Sequence, residues 1–132
     1  MTTIKRFEDI ESWKLVSQLA EKVGEINDAG SFKRNYRLID QMEGSSGSIM
    51  DNIAEGFVRG SRQGFIFFPG YAKGSSGELR SQLYRALNRK YISKKQVDEL
   101  YELAVNISSL LQRFIEYLLK TNIAGSRKNA KS

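Results

Sequence analysis

Neither cysteine nor histidine occurs anywhere in the 132 residues, and these two absences remove most familiar site chemistry. No Cys-His or Ser-His-Asp nucleophile can be assembled, nor a zinc site of the usual ligands, nor the paired Glu-x-x-His motifs of a di-iron bundle. Disulfides are excluded too. Catalysis would have to rest on carboxylates, lysine, tyrosine or serine alone, so a non-enzymatic protein is expected, with no metal and no cofactor. Long apolar runs are also lacking. No stretch of about 18 residues is apolar enough to span a bilayer, and Met1 to Glu11 has no apolar segment of the signal-peptide kind. The default expectation is a cytoplasmic protein without a membrane partner.

Strand signals, long low-complexity segments and internal repeats are absent as well, apart from a rough likeness between two middle helices. With 40% hydrophobic residues the chain is long enough for one core and too short for two. Residues 1–125 are expected to form a single domain. A basic tail follows over 126–132, with Arg127, Lys128 and Lys131, and is expected to be disordered.

What is present reads as an all-α chain of four helices. The first spans roughly Phe7 to Asn27, with Ile10, Trp13, Val16, Leu19, Ala20, Val23 and Ile26 at helical spacing and a stop at Asp28-Ala29-Gly30. The second covers roughly Asn35 to Arg59. Gly60 then supplies a C-terminal glycine and Ser61 the next N-cap, so the third helix, roughly Arg62 to Lys90, doubles back. Ser93 and Gln96 make a capping box for the fourth. In that last helix Val97, Leu100, Ala104, Ile107, Leu111, Phe114 and Leu118 alternate steps of three and four, the seam of a left-handed bundle. Short connections imply an antiparallel up-down-up-down arrangement.

Helix three carries Gly64, Pro69, Gly70, Gly74 and Gly77. At about 1 kcal/mol per glycine and about 3 for an interior proline, packing must hold it, and Pro69 predicts a kink near Phe65 to Phe68. Gly70, Gly74 and Gly77 fall on the side away from the core, where either close approach by another backbone or tolerance at a surface explains them. Leu103, Leu110 and Tyr117 lie seven apart and off the seam of helix four. An apolar arc that wide expects a partner beyond its own bundle, so these six positions are the candidate oligomer interface.

Charge is uneven. Between Gly56 and Val97, nine basic residues stand against the single acid Glu78, whereas the first 55 residues carry seven basic and ten acidic side chains. Arg59, Arg62, Lys73, Arg80, Arg85, Arg89 and Lys90 are the candidate nucleic-acid contacts, with Tyr71, Tyr84 and Tyr91 interleaved. A solvated cationic face would give the same count.

Two polar stripes adjoin apolar ones at about 100° per residue. Gln41, Ser48, Asn52, Glu55 and Arg59 flank Leu38, Met42, Ile49, Ile53 and Phe57, while Tyr71, Ser75, Glu78, Gln82, Arg85 and Arg89 flank Phe65, Phe68, Ala72, Leu79, Leu83 and Ala86. Asn52, Glu55, Ser75, Glu78 and Gln82 have complementary donors and acceptors and are expected to form a largely buried network. A direct ligand-binding role is the alternative. Glu55 and Glu78 as a catalytic carboxylate pair is the weakest option, because flanking arginines make an ion-pair network simpler.

These residues carry a resemblance. Asn52-Ile53-Ala54-Glu55-Gly56-Phe57, Arg59, Ser61, Phe65, Phe68, Ala72-Lys73-Gly74-Ser75, Glu78-Leu79 and Gln82-Leu83 resemble the signature of the bacterial four-helix bundle proteins encoded in 23S rRNA intervening sequences. The likeness extends from Phe7-Glu8-Asp9-Ile10 and Trp13 to Tyr91-Ile92 and the heptads of helix four. The pattern differs at Gly44, where Arg is common, at Met50 in place of Pro, at Ser45 and Ser46 in place of alanines, and at Pro69 in place of Leu. What the resemblance implies is a bundle assembled into a homopentameric ring, with a basic surface suited to nucleic acid. A related branch is the accessory protein of diversity-generating retroelements, which implies a reverse transcriptase as an alternative partner. Two function classes therefore stand: an oligomer that binds RNA or DNA, and a protein scaffold whose basic face meets an acidic partner.

Overall fold

The computed structural model describes residues 6–30 and 32–130, the side chains of 62, 63, 65, 118 and 121–130 excepted. Four helices make up the described chain: α1 (Glu11–Ala29), α2 (Tyr36–Arg59), α3 (Arg62–Asn88) and α4 (Lys94–Ala130), with short 3₁₀ turns at Phe7–Asp9 and Phe32–Arg34. No strand occurs among the described residues.

The local signals act as their chemistry requires. Asn35 caps α2 by accepting from the Leu38 amide at 3.1 Å. Gly60 adopts a left-handed conformation (φ 66°) and the Ser61 hydroxyl accepts from the Gly64 amide at 3.0 Å, so two residues reverse the chain. The capping box of α4 is reciprocal: Gln96 N donates to Ser93 Oγ at 3.1 Å and Ser93 N to Gln96 Oε1 at 2.9 Å. The N-terminus departs from expectation, because Phe7–Asp9 is a separate 3₁₀ turn and α1 starts at Glu11. That turn sets the Phe7 ring edge-on to Trp13 at 5.2 Å. α3 runs as one helix through Pro69, which is buried.

Cross-helix contacts fix the antiparallel register. Asn27 Nδ2 donates to Glu43 Oε1 at 3.0 Å between α1 and α2, Ser48 and Ser75 share a hydroxyl bond of 3.0 Å between α2 and α3, and Lys73 Nζ donates to Gln112 Oε1 at 2.7 Å between α3 and α4. α1 and α3 each pack on both α2 and α4. The core inside holds Val16, Leu19, Val23, Leu38, Met42, Ile49, Leu79, Leu83, Leu100, Ile107 and Leu111, all essentially inaccessible. Phe57, Phe68 and Phe114 are only half-buried. Ser45 and Ser46, which stand in place of alanines, are buried in α2, and Ser46 Oγ donates to the Glu43 carbonyl at 3.2 Å. The tail over 126–132, expected to be disordered, has its side chains outside the described residues, whereas α4 carries the backbone as far as Ala130.

Among the described residues no helix is long and apolar enough to cross a membrane, and no group of three or more His, Cys, Asp or Glu could hold a metal ion.

Candidate nucleic-acid interface and polar groove

Successive side chains on α3 advance by about 100°, and this spacing divides its cations into two rows. Lys73 and Arg80 lie on the edge facing α4, where Lys73 meets Gln112 and the Arg80 guanidinium stands 5.8 Å from the Tyr101 ring centroid. Arg85 and Arg89 lie on the α2 edge. Arg85 Nη1 donates to Gln41 Oε1 at 2.8 Å, and Arg89 stacks over Tyr91 at 5.7 Å. Arg59, at the end of α2, continues this second row, paired with Glu55 at 2.8 Å and lying 5.0 Å over Phe68. Lys90 is exposed at the end of α3 in a left-handed conformation (φ 61°). The Arg62 side chain lies outside the described residues. Gly70, Gly74 and Gly77 run between the rows, and a Cβ added at Gly70 or Gly74 would meet nothing within 4 Å.

Two features shape the electrostatics. Of the described cations in these rows only Arg59 has a carboxylate partner, and that pair is half exposed, so it contributes little. Amide and ring partners hold the others without neutralising them. On the α4 edge the Tyr84 and Tyr101 rings meet edge-to-face at 5.5 Å. Hydrogen bonding to the Tyr101 side chain, then repulsion from that phenol, raises the Tyr84 pKa, with further help from desolvation and Asp98.

The polar network is smaller than the two stripes imply. Asn52 Nδ2 donates to Ser48 O at 2.8 Å and Ser48 Oγ at 3.0 Å, and Ser48 reaches Ser75. Glu55 and Glu78, expected to be buried members, are exposed. The antiparallel register also keeps them apart: Glu78 lies opposite Ser45, and the ten residues from there to Glu55 correspond to about 15 Å along the helix. Those two carboxylates cannot act as a pair. Gln82 is buried, yet its Oε1 has no hydrogen-bond partner. Together Gln41, Gly44, Ser45, Ser48, Ser75, Glu78 and Gln82 line a groove of 350 Å³ between α2 and α3.

The remaining interface candidates divide. Leu103 packs against its own core, so it is less free than its spacing implied. Leu110 lines a second groove, of 360 Å³, with Ile10, Glu11, Ser12, Arg113 and Phe114. Tyr117 is 60% exposed. Absent from the sequence-based candidates is Ser76, which is fully buried, donates to the Ala104 carbonyl at 3.1 Å and accepts from Ser108 Oγ at 3.0 Å. Its place at the centre of the apolar arc of α3 is the signal that points to it.

The bundle has known counterparts. It is similar to the crystal structure of a protein of unknown function from the S23 ribosomal protein family of Bacteroides thetaiotaomicron, with a TM-score of 0.70 and 22% identity over 79% of this chain and 97% of that one. Among curated proteins none matches. The family described as 23S rRNA-intervening sequence protein matches residues 8–113. That match takes in the antiparallel bundle, both stripes and the basic rows, and the chain belongs to the 23S rRNA-intervening sequence protein family.

Proposed function

We propose that the protein is a non-enzymatic homo-oligomer, a pentamer, that binds nucleic acid through the phosphate backbone along α3. The carrying observation is the pair of cation rows: Lys73, Arg80, Arg85 and Arg89 are held by amides and aromatic rings without a carboxylate partner; Lys73, Arg85 and Arg89 are exposed and pre-positioned for a ligand, while Arg80 is half-buried with its Nε buried and unpartnered. Phosphate contacts of this kind give affinity without base readout. Repeating the rows in each subunit would build a positive belt whose avidity grows with the number of contacts engaged. Support for association comes from the open ridge at Gly70 and Gly74, the exposed Tyr117 and the groove at Leu110. The test is fluorescence anisotropy with single- and double-stranded RNA and DNA at rising salt, paired with light scattering. Retention at about 50 mM salt, with a steep loss above it, is expected. No retention of any of the four, or the 15.0 kDa monomer mass at micromolar concentration, overturns the corresponding half of the proposal.

One observation favours a second role, that of a scaffold meeting an acidic protein such as a reverse transcriptase. Val58, Phe67 and Tyr71 are 70%, 55% and 58% exposed around Arg59, an aromatic and cationic surface of the type enriched in protein interfaces. Salt-sensitive capture of an acidic partner, without retention of nucleic acid, would select it.

A further inference from the structure

The groove between α2 and α3 is polar, and among the described residues Glu78 is the one charged side chain that lines it. At its floor Gln82 is 8% exposed, and its Oε1 is buried without a partner, a situation that native proteins rarely leave uncompensated. No hydrogen bond among the described residues fixes this amide. Its terminal torsion is broad, so rotation can turn the oxygen to the groove. One helical turn away on the rim stands Glu78, exposed and without an ion pair among the described residues. On the facing wall a Cβ added at Gly44 would meet nothing within 4 Å. Ser48 and Ser75, 3.0 Å apart, close one end. Gln41 closes the other, its Oε1 already engaged by Arg85 at 2.8 Å.

A carboxylate at the rim, an unpartnered amide oxygen at the floor and two hydroxyls at one end ask for a flat group with several donors and a positive charge. We infer that the groove is a binding site for a guanidinium cation, which donates to the Glu78 carboxylate and the Gln82 amide oxygen. A planar guanidinium presents its donors as a fork and is weakly hydrated, so it sheds its water at less cost than an ammonium. Its bonds to Glu78 are charge-assisted. Two sources share this chemistry: a free guanidino compound, and an arginine side chain from a second copy of the chain. A guanidinium in the groove would use Glu78 and Gln82 and none of the row cations, although Gln41 links the groove to Arg85.

The test follows the side-chain amide resonances of Gln82 and Gln41 in isotopically labelled protein during titration with guanidinium chloride. Urea, which has the same shape and no charge, and sodium chloride serve as controls. Saturable shifts at Gln82 and along the groove are expected, with a millimolar dissociation constant because so few atoms make contact. Glu78→Gln should weaken binding about tenfold, in keeping with loss of a hydrogen bond to a charged group. Gly44→Arg should abolish it by placing a tethered guanidinium in the slot, and circular dichroism should show this variant still folded and melting higher. Running the titration at high and low protein concentration separates the sources. A free-compound site responds equally at both, whereas an arginine from a second copy blocks the probe only where light scattering shows association. Absence of a saturable shift at both concentrations overturns the inference. So do equal responses to urea, or undiminished binding by Glu78→Gln.

Discussion

Two pairs of glycines in the same hairpin have opposite surroundings. Gly56 and Gly64 lie where α2 and α3 come closest: a Cβ on Gly56 would stand 2.9 Å from the Gly64 carbonyl oxygen and 3.0 Å from Phe68 Cβ. Gly70 and Gly74, a few turns along, face open space. At Gly56 glycine is a steric requirement of this fold, and at Gly64 a Cβ would crowd the Ser61 hydroxyl at 3.0 Å. At the second pair glycine only weakens α3, by roughly 0.5–1 kcal/mol per residue relative to alanine, unless something outside the bundle approaches there. Identical letters in the sequence therefore carry a packing constraint in one place and an interface candidate in the other.

The largest effect is expected for Gly56→Ala. The obstacle is backbone rather than a flexible side chain, so α2 and α3 must separate, and overpacking of this kind costs roughly 1–3 kcal/mol. Thermal and urea unfolding should both report the loss. A neutral result would mean that the crossing is looser than 2.9 Å implies.

Next comes the double variant Gly70→Ala, Gly74→Ala, which sharpens the comparison because its two readouts move in opposite directions. Dissociated protein should gain about 1–2 kcal/mol from better helix propensity, while the assembly should dissociate at higher protein concentration if the ridge is an interface. A gain in stability with unchanged association would assign the ridge to solvent. Substituting Leu110 with Glu probes the other candidate contact, and should shift the scattering mass to that of the monomer while helical circular dichroism persists.

The smallest effect is expected at Lys90, the counterpart of Gly60 at the far end of α3. Both are left-handed, with φ of 61° and 66°, but only one is glycine. The bonds from Lys90 N to Leu87 O at 2.9 Å and from Tyr91 N to Ala86 O at 2.9 Å form the Schellman closure that favours glycine. Lys90→Gly should stabilise by ~0.5–1 kcal/mol while removing one candidate phosphate ligand. An unchanged melting temperature would indicate that the side chain recovers the strain elsewhere.

Much of the fold is legible in the sequence because it rests on local chemistry. Gly60-Ser61, the Ser93/Gln96 box and the Val97 to Leu111 seam each encode geometry within a few residues, and α2 ends, and α3 and α4 begin, where those signals place them. Less legible is whatever depends on register between helices. Periodicity places Glu55 and Glu78 on the correct flanks, but only the antiparallel offset separates them along the seam, so a shared stripe does not make a network. Ser76 escapes notice because a serine inside an apolar arc looks like a gap, whereas the Ala104 carbonyl and Ser108 lie across from it. The left-handed run at Phe32, Lys33 and Arg34, with φ of 46°, 47° and 63°, leaves no sequence signal. Its cost is borne by tertiary packing, since Phe32 is 1% exposed and its ring lies 5.0 Å from that of Tyr91.

The central claim, that α3 presents phosphate-binding rows, is tested most directly by the salt dependence of RNA affinity in the wild type and in Arg80→Ser, Arg85→Ser, Arg89→Ser. The triple variant should bind every sequence more weakly by the same factor, and its log-log salt slope should fall by about 0.7–0.9 for each phosphate that is no longer neutralised. An unchanged slope and affinity, or a weakening confined to particular sequences, would contradict the claim.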